Sequence, residues 1–161
     1  MAKNKNKKVL FISSTGGHFN ELLQLKPLFD KYDYHIITEK DDMTKGYKKE
    51  YKEKISYMIY GTRSHMFKYI FQLIANCFIT LFLFIKIRPQ YIVTTGTHTA
   101  GPMCVLGKIF RKKIIYIETF ANRNTKTATG KLIYKFADLF IVQWEEMLKL
   151  YPKAVLGGSI Y

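Results

Sequence analysis

The sequence contains few cysteines and does not begin with an apolar leader. Its 161 residues include two cysteines. Cys77 and Cys104 lie far apart in apolar stretches, which favours small buried thiols in a reducing compartment over a disulfide or a metal site. No apolar run of signal-peptide length follows Met1, because a lysine-rich start leads directly into a strand-like segment. We therefore expect a protein on the cytosolic side.

Acidic residues are absent from the middle of the chain. None occurs between Glu53 and Glu118, whereas lysine and arginine recur throughout this stretch, and the formal net charge of the chain is +14. This distribution predicts a polyanionic neighbour, whether phospholipid, pyrophosphate or nucleic acid. The alternative is a solvated lysine-rich surface. That alternative accounts for the isolated lysines of residues 45–54 better than for the carboxylate-free third of the chain.

The apolar residues alternate between strand-like and helix-like patterns. Short runs rich in β-branched and aromatic residues predict strands at 8–13, 34–38, 55–60, 91–95, 114–118, 139–143 and 153–156. Helical spacing predicts helices at 19–32, with a kink at Pro27, at 102–110 and at 131–137. Apolar strands alternating with helices favour an α/β fold, a Rossmann-like, mainly parallel sheet with helices on both faces. We expect residues 1–161 to form a single domain.

Three of the predicted strands end in polar loops, and ligands of such sheets bind beyond the carboxyl ends of the strands. In the first loop, "STGGH" (14–18), Gly16 and Gly17 allow the backbone to approach a phosphate closely. The dinucleotide fingerprint G-x-G-x-x-G is absent, although Glu39 follows at roughly the distance of a ribose-binding acid. The loop alone is also compatible with ordinary turn chemistry.

The second and third loops add hydroxyl, amide and charged groups at the same predicted edge. The second, "TTGTHTAGP" (94–102), contains four threonines and His98, and the third, "ETFANRNTKT" (118–127), begins with Glu118 and continues to Asn122 and Arg123. Turn chemistry explains any one of these loops, but three polar loops at one edge favour a ligand site.

His18 stands at the junction between the first loop and a predicted helix. A histidine beside a helix N-terminus tends to stay neutral near pH 7, because the helix dipole disfavours the cation. A neutral imidazole accepts a proton from a substrate hydroxyl or hydrogen-bonds a ligand. A helix-capping or packing role is the alternative interpretation.

The segment 65–89 contains the longest apolar stretch. Residues 69–85 carry no charge, and a helix of that length is about 25 Å long at a rise of 1.5 Å per residue. Lys68, Gln72, Asn76 and Thr80 recur every four residues and form a narrow polar stripe. Because a strand follows almost at once, we favour an apolar helix of about 66–87 that lies at the membrane interface. A helix buried against the sheet and a partner protein is the alternative. The expected membrane contacts are Lys68, Phe71, Phe78, Phe82, Lys86 and Arg88.

Several motifs together carry a family resemblance. The segments "STGGH", "TGTHTAGP", "ETFANR" and "DLFIVQWEEMLKLYPKAVLGG" resemble the Alg14 family, which includes bacterial PssD- and CpsF-type proteins of exopolysaccharide and capsule synthesis. More distantly, the chain is similar to the amino-terminal half of MurG, a two-domain glycosyltransferase of the GT-B fold. The resemblance covers residues 8–161.

The resemblance implies half of an enzyme. In GT-B enzymes the amino-terminal domain holds the acceptor and contacts the membrane, and a second domain makes most contacts to the nucleotide sugar. By this resemblance, the chain stops about where that second domain would begin. The resemblance implies that a separate Alg13-, PssE- or CpsG-type subunit carries the donor-binding domain, and that this chain recruits it to the cytoplasmic face of the cell membrane as a peripheral or monotopic protein.

The resemblance also implies an activity and a set of site residues. The activity is transfer of a sugar from a UDP-sugar to a lipid-pyrophosphate-linked saccharide, with inversion and without a cofactor or an essential metal. His18 matches a candidate base, and Glu118 matches an acidic position. Acceptor or phosphate binding falls to Gly16, Gly17, Thr95, Gly96, Thr97, Asn122 and Arg123. MurG-like proteins have a glycine-rich run where this chain has residues 97–99, "THT".

Two other classes of function stay open at this point. A stand-alone dinucleotide-binding oxidoreductase is disfavoured, because the glycine fingerprint and a catalytic domain are both missing. A basic nucleic-acid-binding module is disfavoured, because the aromatic residues concentrate in one apolar helix instead of alternating with lysine and arginine across a platform.

Overall fold

The computed structural model describes residues 4–61 and 66–160, and it shows seven strands in one sheet. The strands are β1 (Asn4–Ser13), β2 (Tyr32–Lys40), β3 (Ile55–Ile59), β4 (Tyr91–Gly96), β5 (Lys113–Ile117), β6 (Leu139–Val142) and β7 (Val155–Leu156). Their order is β3-β2-β1-β4-β5-β6-β7, and every neighbouring pair is parallel. The predicted α/β, Rossmann-like fold class is therefore confirmed.

Within residues 4–61 and 66–160, six α-helices connect the strands. They are α1 (Gly17–Leu23), α2 (Lys26–Phe29), α3 (Tyr47–Tyr51), α4 (Met66–Ile87), α5 (Ala100–Ile109) and α6 (Ala128–Ile133). Short 3₁₀ helices occur at Lys52–Lys54 and Glu145–Lys149. The single helix predicted at 19–32 is wrong, because the chain leaves the helix after Leu23 and starts α2 at Lys26. Pro27 lies in the first turn of α2, where its missing N–H removes no intrahelical hydrogen bond.

Two apolar layers enclose the sheet. Leu10, Phe11 and Ile12 of the central strand β1 are all fully buried, which explains why its sequence is continuously apolar. Phe11 belongs to the layer under α1, α2 and α3, whereas Leu10 and Ile12 belong to the layer under α4, α5 and α6. Helices thus cover both faces of the sheet.

The two cysteines differ in their surroundings. Cys104 on α5 is buried in the core, and burial raises the pKa of its thiol to about 12. Cys77 on α4 is exposed. The prediction of two buried thiols is therefore wrong for Cys77, because this side of α4 points away from the sheet.

Candidate functional site

The first and second loops meet at the carboxyl ends of β1 and β4, which are neighbours in the sheet. The Ser14 N–H donates to the Gly96 carbonyl at 3.0 Å, and the hydroxyls of Ser14 and Thr97 lie 3.3 Å apart. Gly16 has a φ of 76°, a left-handed conformation that turns the chain into α1. The structure thus brings Ser14, at the start of the first loop, next to residues 96 and 97. We call this region the strand-end site.

His18 is the first side chain of α1 that points at the strand-end site. Its Nδ1 lies 2.8 Å from the Thr95 carbonyl, while the Thr95 hydroxyl donates to the His18 carbonyl at 2.7 Å. A carbonyl oxygen only accepts hydrogen bonds, so Nδ1 carries the proton and Nε2 of the neutral ring has a free lone pair. Gly96 permits this approach, since a Cβ there would lie 3.4 Å from His18 Cε1 at a φ of +99°.

The protonation of His18 depends mainly on its burial. Burial lowers the pKa of the imidazole below its ordinary value, while the hydrogen bond to Thr95 and the charge of Glu118 act in the opposite direction. His98 also lowers the pKa of His18. The net direction is downward, so His18 is neutral near pH 7 and its Nε2 is able to accept a proton.

Glu21, which the sequence interpretation missed, joins α1 to the third loop. It lies one turn after His18 and is buried. Its Oε1 accepts from the Thr119 hydroxyl at 3.0 Å and from the Phe120 N–H at 2.7 Å. Its Oε2 accepts no hydrogen bond from the described residues and lies 3.9 Å from His18 Nδ1. Burial raises the pKa of this carboxyl. An acidic residue three positions after a histidine in a helix was the available sequence signal.

Glu118 follows the end of β5 and is also buried. Its two carboxylate oxygens accept from the hydroxyls of Thr127 and Tyr151 at 3.0 to 3.2 Å. Gly130 is required beside it, because a Cβ there would lie 2.3 Å from Glu118 Oε2. Burial raises the pKa of Glu118 more than these hydrogen bonds lower it. The structure thus places Glu118 in a closed hydrogen-bonded cluster with the start of α6.

Glu39 connects the end of β2 to the second loop. It is buried, its Oε1 accepts from the Thr99 hydroxyl at 2.8 Å, and the same oxygen lies 3.2 Å from His98 Nε2. Its Oε2 accepts from the Thr15 N–H at 3.4 Å. These contacts engage the carboxylate with both loops, so Glu39 positions backbone and side chains around the strand-end site.

Asn122 and Arg123 lie on the third loop but are held differently. The Asn122 N–H donates to the Thr119 carbonyl at 3.1 Å, which keeps this part of the loop close to Glu21's partners. Arg123 donates through Nε and Nη2 to Glu146 at 3.0 and 2.6 Å and lies over the Trp144 ring. Both partners of this ion pair are solvent-accessible, so exchange of Glu146 for a phosphate costs little.

Helix α4 has a second candidate surface on its outward side. Its polar stripe lies on the opposite side and faces the rest of the chain. Asn76 and Thr80 are 6% and 0% exposed. The Asn76 side chain accepts from the Ile59 N–H at 2.9 Å and donates to the Ile59 carbonyl at 2.8 Å. Gln72 donates to the Tyr60 carbonyl at 3.0 Å. The stripe therefore binds α4 to the end of the edge strand β3.

The opposite side of α4 exposes large apolar side chains. Phe71, Phe78 and Phe82 are 73%, 70% and 62% exposed, and the other exposed apolar residues of this helix are Ile70, Leu73, Ile74, Leu81 and Ile85. Ile70–Ile87 is long and apolar enough to cross a membrane. Yet Leu83 and Phe84 are buried in the core, so α4 packs against the rest of the chain along one side. We call the exposed apolar side of α4 the outer face.

The predicted cationic contacts lie at the ends of α4. Lys86 is exposed, and its Nζ lies 5.9 Å from the centre of the Phe82 ring. Arg88 follows the helix, where its Nε donates to the Ile85 carbonyl at 3.3 Å. The side chain of Lys68 lies outside the described part of the chain. The outer face thus has positive charge at its carboxyl end.

Comparison with a family model identifies the relatives of this chain. A model described as "Oligosaccharide biosynthesis protein Alg14 like" matches residues 9–160. Proteins named UDP-N-acetylglucosamine transferase subunit ALG14 are similar over nearly the whole chain. The Mus musculus protein is 27% identical over an alignment of 180 positions, which covers 95% of this chain and 82% of the mouse protein. The Homo sapiens protein is 26% identical over an alignment of 178 positions, which covers 94% of this chain and 82% of the human protein.

Solved structures share the fold at low sequence identity. Acinetobacter baumannii MurG superposes with a TM-score of 0.69 at 16% identity, covering 87% of this chain and 42% of MurG. The S. aureus MnaA-UDP co-structure gives a TM-score of 0.69 at 14% identity, with coverages of 94% and 43%. The chain therefore spans less than half the length of either structure.

Proposed function

The chain belongs to the Alg14-like family of oligosaccharide biosynthesis proteins, and we propose that it is the acceptor-binding, membrane-recruiting subunit of a two-component inverting glycosyltransferase. The reaction moves a sugar from a UDP-sugar to a lipid-pyrophosphate-linked saccharide in exopolysaccharide or capsule synthesis. A partner of the Alg13, PssE or CpsG type binds most of the donor. The chain acts as one domain on the cytoplasmic face of the membrane, as a peripheral or monotopic protein.

The observation that carries the proposal is the pairing of the strand-end site with the outer face of α4. The strand-end site lies where β1 and β4 adjoin, which is the point where the strand order reverses and where such sheets bind ligands. The sheet supplies one wall of a cleft, and we assign the other wall to the proposed partner subunit. The outer face provides a membrane contact for the same chain.

In the proposed reaction His18 is the base. The acceptor hydroxyl oxygen attacks the anomeric carbon, the bond from that carbon to the UDP oxygen breaks, and its electron pair leaves with UDP. The hydroxyl proton passes to His18 Nε2, which is unprotonated because Nδ1 donates to Thr95. Glu21 lies 3.9 Å from Nδ1 and stabilises the imidazolium that forms. Glu118 acts through its charge, which also favours the imidazolium.

The proposed phosphate contacts come from all three loops. Gly16 and Gly17 carry no side chain, and no other atom would contact a Cβ at either position, so the backbone at this turn is open to a ligand. Thr97 supplies a half-buried hydroxyl beside it, whereas Thr95 and Gly96 are buried and the Thr95 hydroxyl donates to the His18 carbonyl. Asn122 and Arg123 supply an amide and a guanidinium, and the guanidinium exchanges Glu146 for the acceptor pyrophosphate.

The proposed membrane contact is interfacial. The outer face presents phenylalanine side chains that enter the acyl boundary, while Lys68, Lys86 and Arg88 meet anionic headgroups. Because Asn76, Thr80, Leu83 and Phe84 pack against the chain itself, α4 lies along the membrane surface with one side on the protein.

Co-expression with the partner subunit tests the proposal. Purified pairs are assayed with lipid-linked glucose and a panel of UDP-sugars that includes UDP-N-acetylglucosamine. We expect transfer by the pair and none by either chain alone. His18→Ala lowers turnover by about 10² to 10⁴ if the base is lost, whereas Asn20→Ala, an exposed position on the same helix, leaves turnover unchanged. Transfer by this chain alone, or full turnover by His18→Ala, contradicts the proposal.

A further inference from the structure

An apolar groove of about 700 Å³ lies between α4, α5 and α6. Its walls include Phe78 and Leu81 from α4, Pro102 and Val105 from α5, and Leu132 from α6. Among the described residues, no Asp, Glu, Lys or Arg lines it. A groove of this composition offers burial to an apolar group but no counter-charge.

The groove borders both surfaces described above. His98 of the second loop lines it and is tied to the strand-end site through Thr97 and Glu39. Phe78 and Leu81 also line it and belong to the outer face. The groove therefore shares residues with the outer face and contacts residues of the polar strand-end site.

We propose that this groove binds the first isoprenoid or acyl units of the lipid acceptor, with the pyrophosphate at the strand-end site. This inference rests on the proposed function and specifies how its acceptor is held. An amphiphile with a charged head and one hydrocarbon chain matches an apolar groove that borders the polar strand-end site.

The lining favours a hydrocarbon chain over a polypeptide segment. An extended peptide brings N–H and C=O groups that each require a hydrogen-bond partner when they are buried. The apolar side chains of the groove offer no such partners, whereas a hydrocarbon chain needs none.

Gly101 provides a variant that fills the groove without disturbing the core. It lies on α5, lines the groove, and a Cβ at this position has no atom within 4 Å. Gly101→Leu therefore places its side chain in the groove, and Gly101→Ala is the matched control with a small side chain. Both replacements favour the helical conformation over glycine.

The experiment uses the full chain in buffer without detergent and a farnesyl diphosphate that carries a diazirine on its terminal unit. After photolysis, mass spectrometry locates the label. We expect labelled peptides from α5 and α6. Unmodified farnesyl diphosphate blocks this labelling, whereas inorganic pyrophosphate, which competes only for the strand-end site, weakens it without changing which peptides are labelled. Gly101→Leu reduces this labelling to background, and Gly101→Ala retains it.

Vesicle sedimentation separates this inference from the proposed function. Gly101→Leu still sediments with anionic vesicles, whereas Phe71→Glu, on the outer face and away from the groove, does not sediment but is still labelled. Failure of the wild-type chain to bind vesicles contradicts the proposed membrane role and leaves the labelling result intact. Labelling that Gly101→Leu does not change, or labelling confined to the outer face, overturns the groove. If the wild-type chain is not labelled and instead forms a dimer that Gly101→Leu dissociates, the groove binds a second copy of the chain and the inference is overturned.

Discussion

Helices α1 and α4 pack on opposite faces of one sheet and orient their side chains in opposite ways. On α1 the apolar residues Phe19 and Leu22 are buried, and Asn20 is exposed. On α4 the polar residues of the stripe are buried, and the phenylalanines of the outer face are exposed.

The difference separates residues that fold the chain from residues that serve another purpose. Burying a side chain such as leucine or phenylalanine contributes about 1.5 to 3 kcal/mol, so Phe19 and Leu22 stabilise the sheet. The exposed residues of the outer face do not make that contribution, and a contiguous exposed apolar patch of this kind marks an interaction surface. Helix α1 also carries His18 and Glu21 into the strand-end site, so one helix serves the core and the proposed chemistry together.

Introducing a glutamate on each helix tests this difference most strongly. Leu22→Glu places a carboxylate in a fully buried position, and we expect a loss of more than about 4 kcal/mol in the free energy of unfolding. Phe82→Glu changes an exposed position, and we expect a change within about 0.5 kcal/mol. Urea unfolding followed by circular dichroism measures both. Phe82→Glu also lowers sedimentation with anionic vesicles. Equal destabilisation by the two variants would show that the outer face belongs to the core.

The inward stripe of α4 provides a smaller effect. Asn76→Leu leaves both backbone groups of Ile59 without their partner, and we expect a loss of about 2 to 4 kcal/mol. Gln72→Leu removes one hydrogen bond at a half-buried position, and we expect a loss of about 0.5 to 1 kcal/mol. Urea unfolding distinguishes the two. A neutral or stabilising Asn76→Leu would mean that the stripe does not determine how α4 packs.

The sheet was predictable because buried parallel strands are continuously apolar, and each predicted strand overlaps an observed one. The orientation of α4 was not predictable, because the sequence pattern reveals a polar stripe but not the direction in which the stripe faces. The hydrogen bonds to the Ile59 backbone determine that direction. Glu21 and Glu39 were missed as structural partners of the site. Their hydrogen bonds reach Thr119 and Thr99, 98 and 60 residues away in the sequence, and local patterns contain no information about such contacts.

A still smaller effect tests whether α4 lies on an anionic surface. His35 on β2 has a pKa lowered to about 4, first by burial and then by Lys54, Lys86 and Lys48. Lys86 stands at the carboxyl end of α4. Headgroups that bind Lys86 offset its charge, so we expect anionic nanodiscs to raise the pKa of His35 by roughly a few tenths of a unit, because screening reduces such an exposed interaction. Nuclear magnetic resonance of the imidazole during a pH titration measures this shift.

His18 is the internal control, because no lysine contributes to the lowering of its pKa. Its pKa stays constant on the same nanodiscs, and neutral nanodiscs shift neither histidine. Lys86→Gln raises the pKa of His35 in solution and abolishes the further shift. The lowered pKa of His35 also affects the stability of the fold. Because the folded state binds this proton less readily than the unfolded state, stability decreases as the pH falls from 6.5 towards 4. We expect this loss to be smaller on an anionic membrane. Equal shifts of both histidines would place the anionic surface elsewhere than at α4.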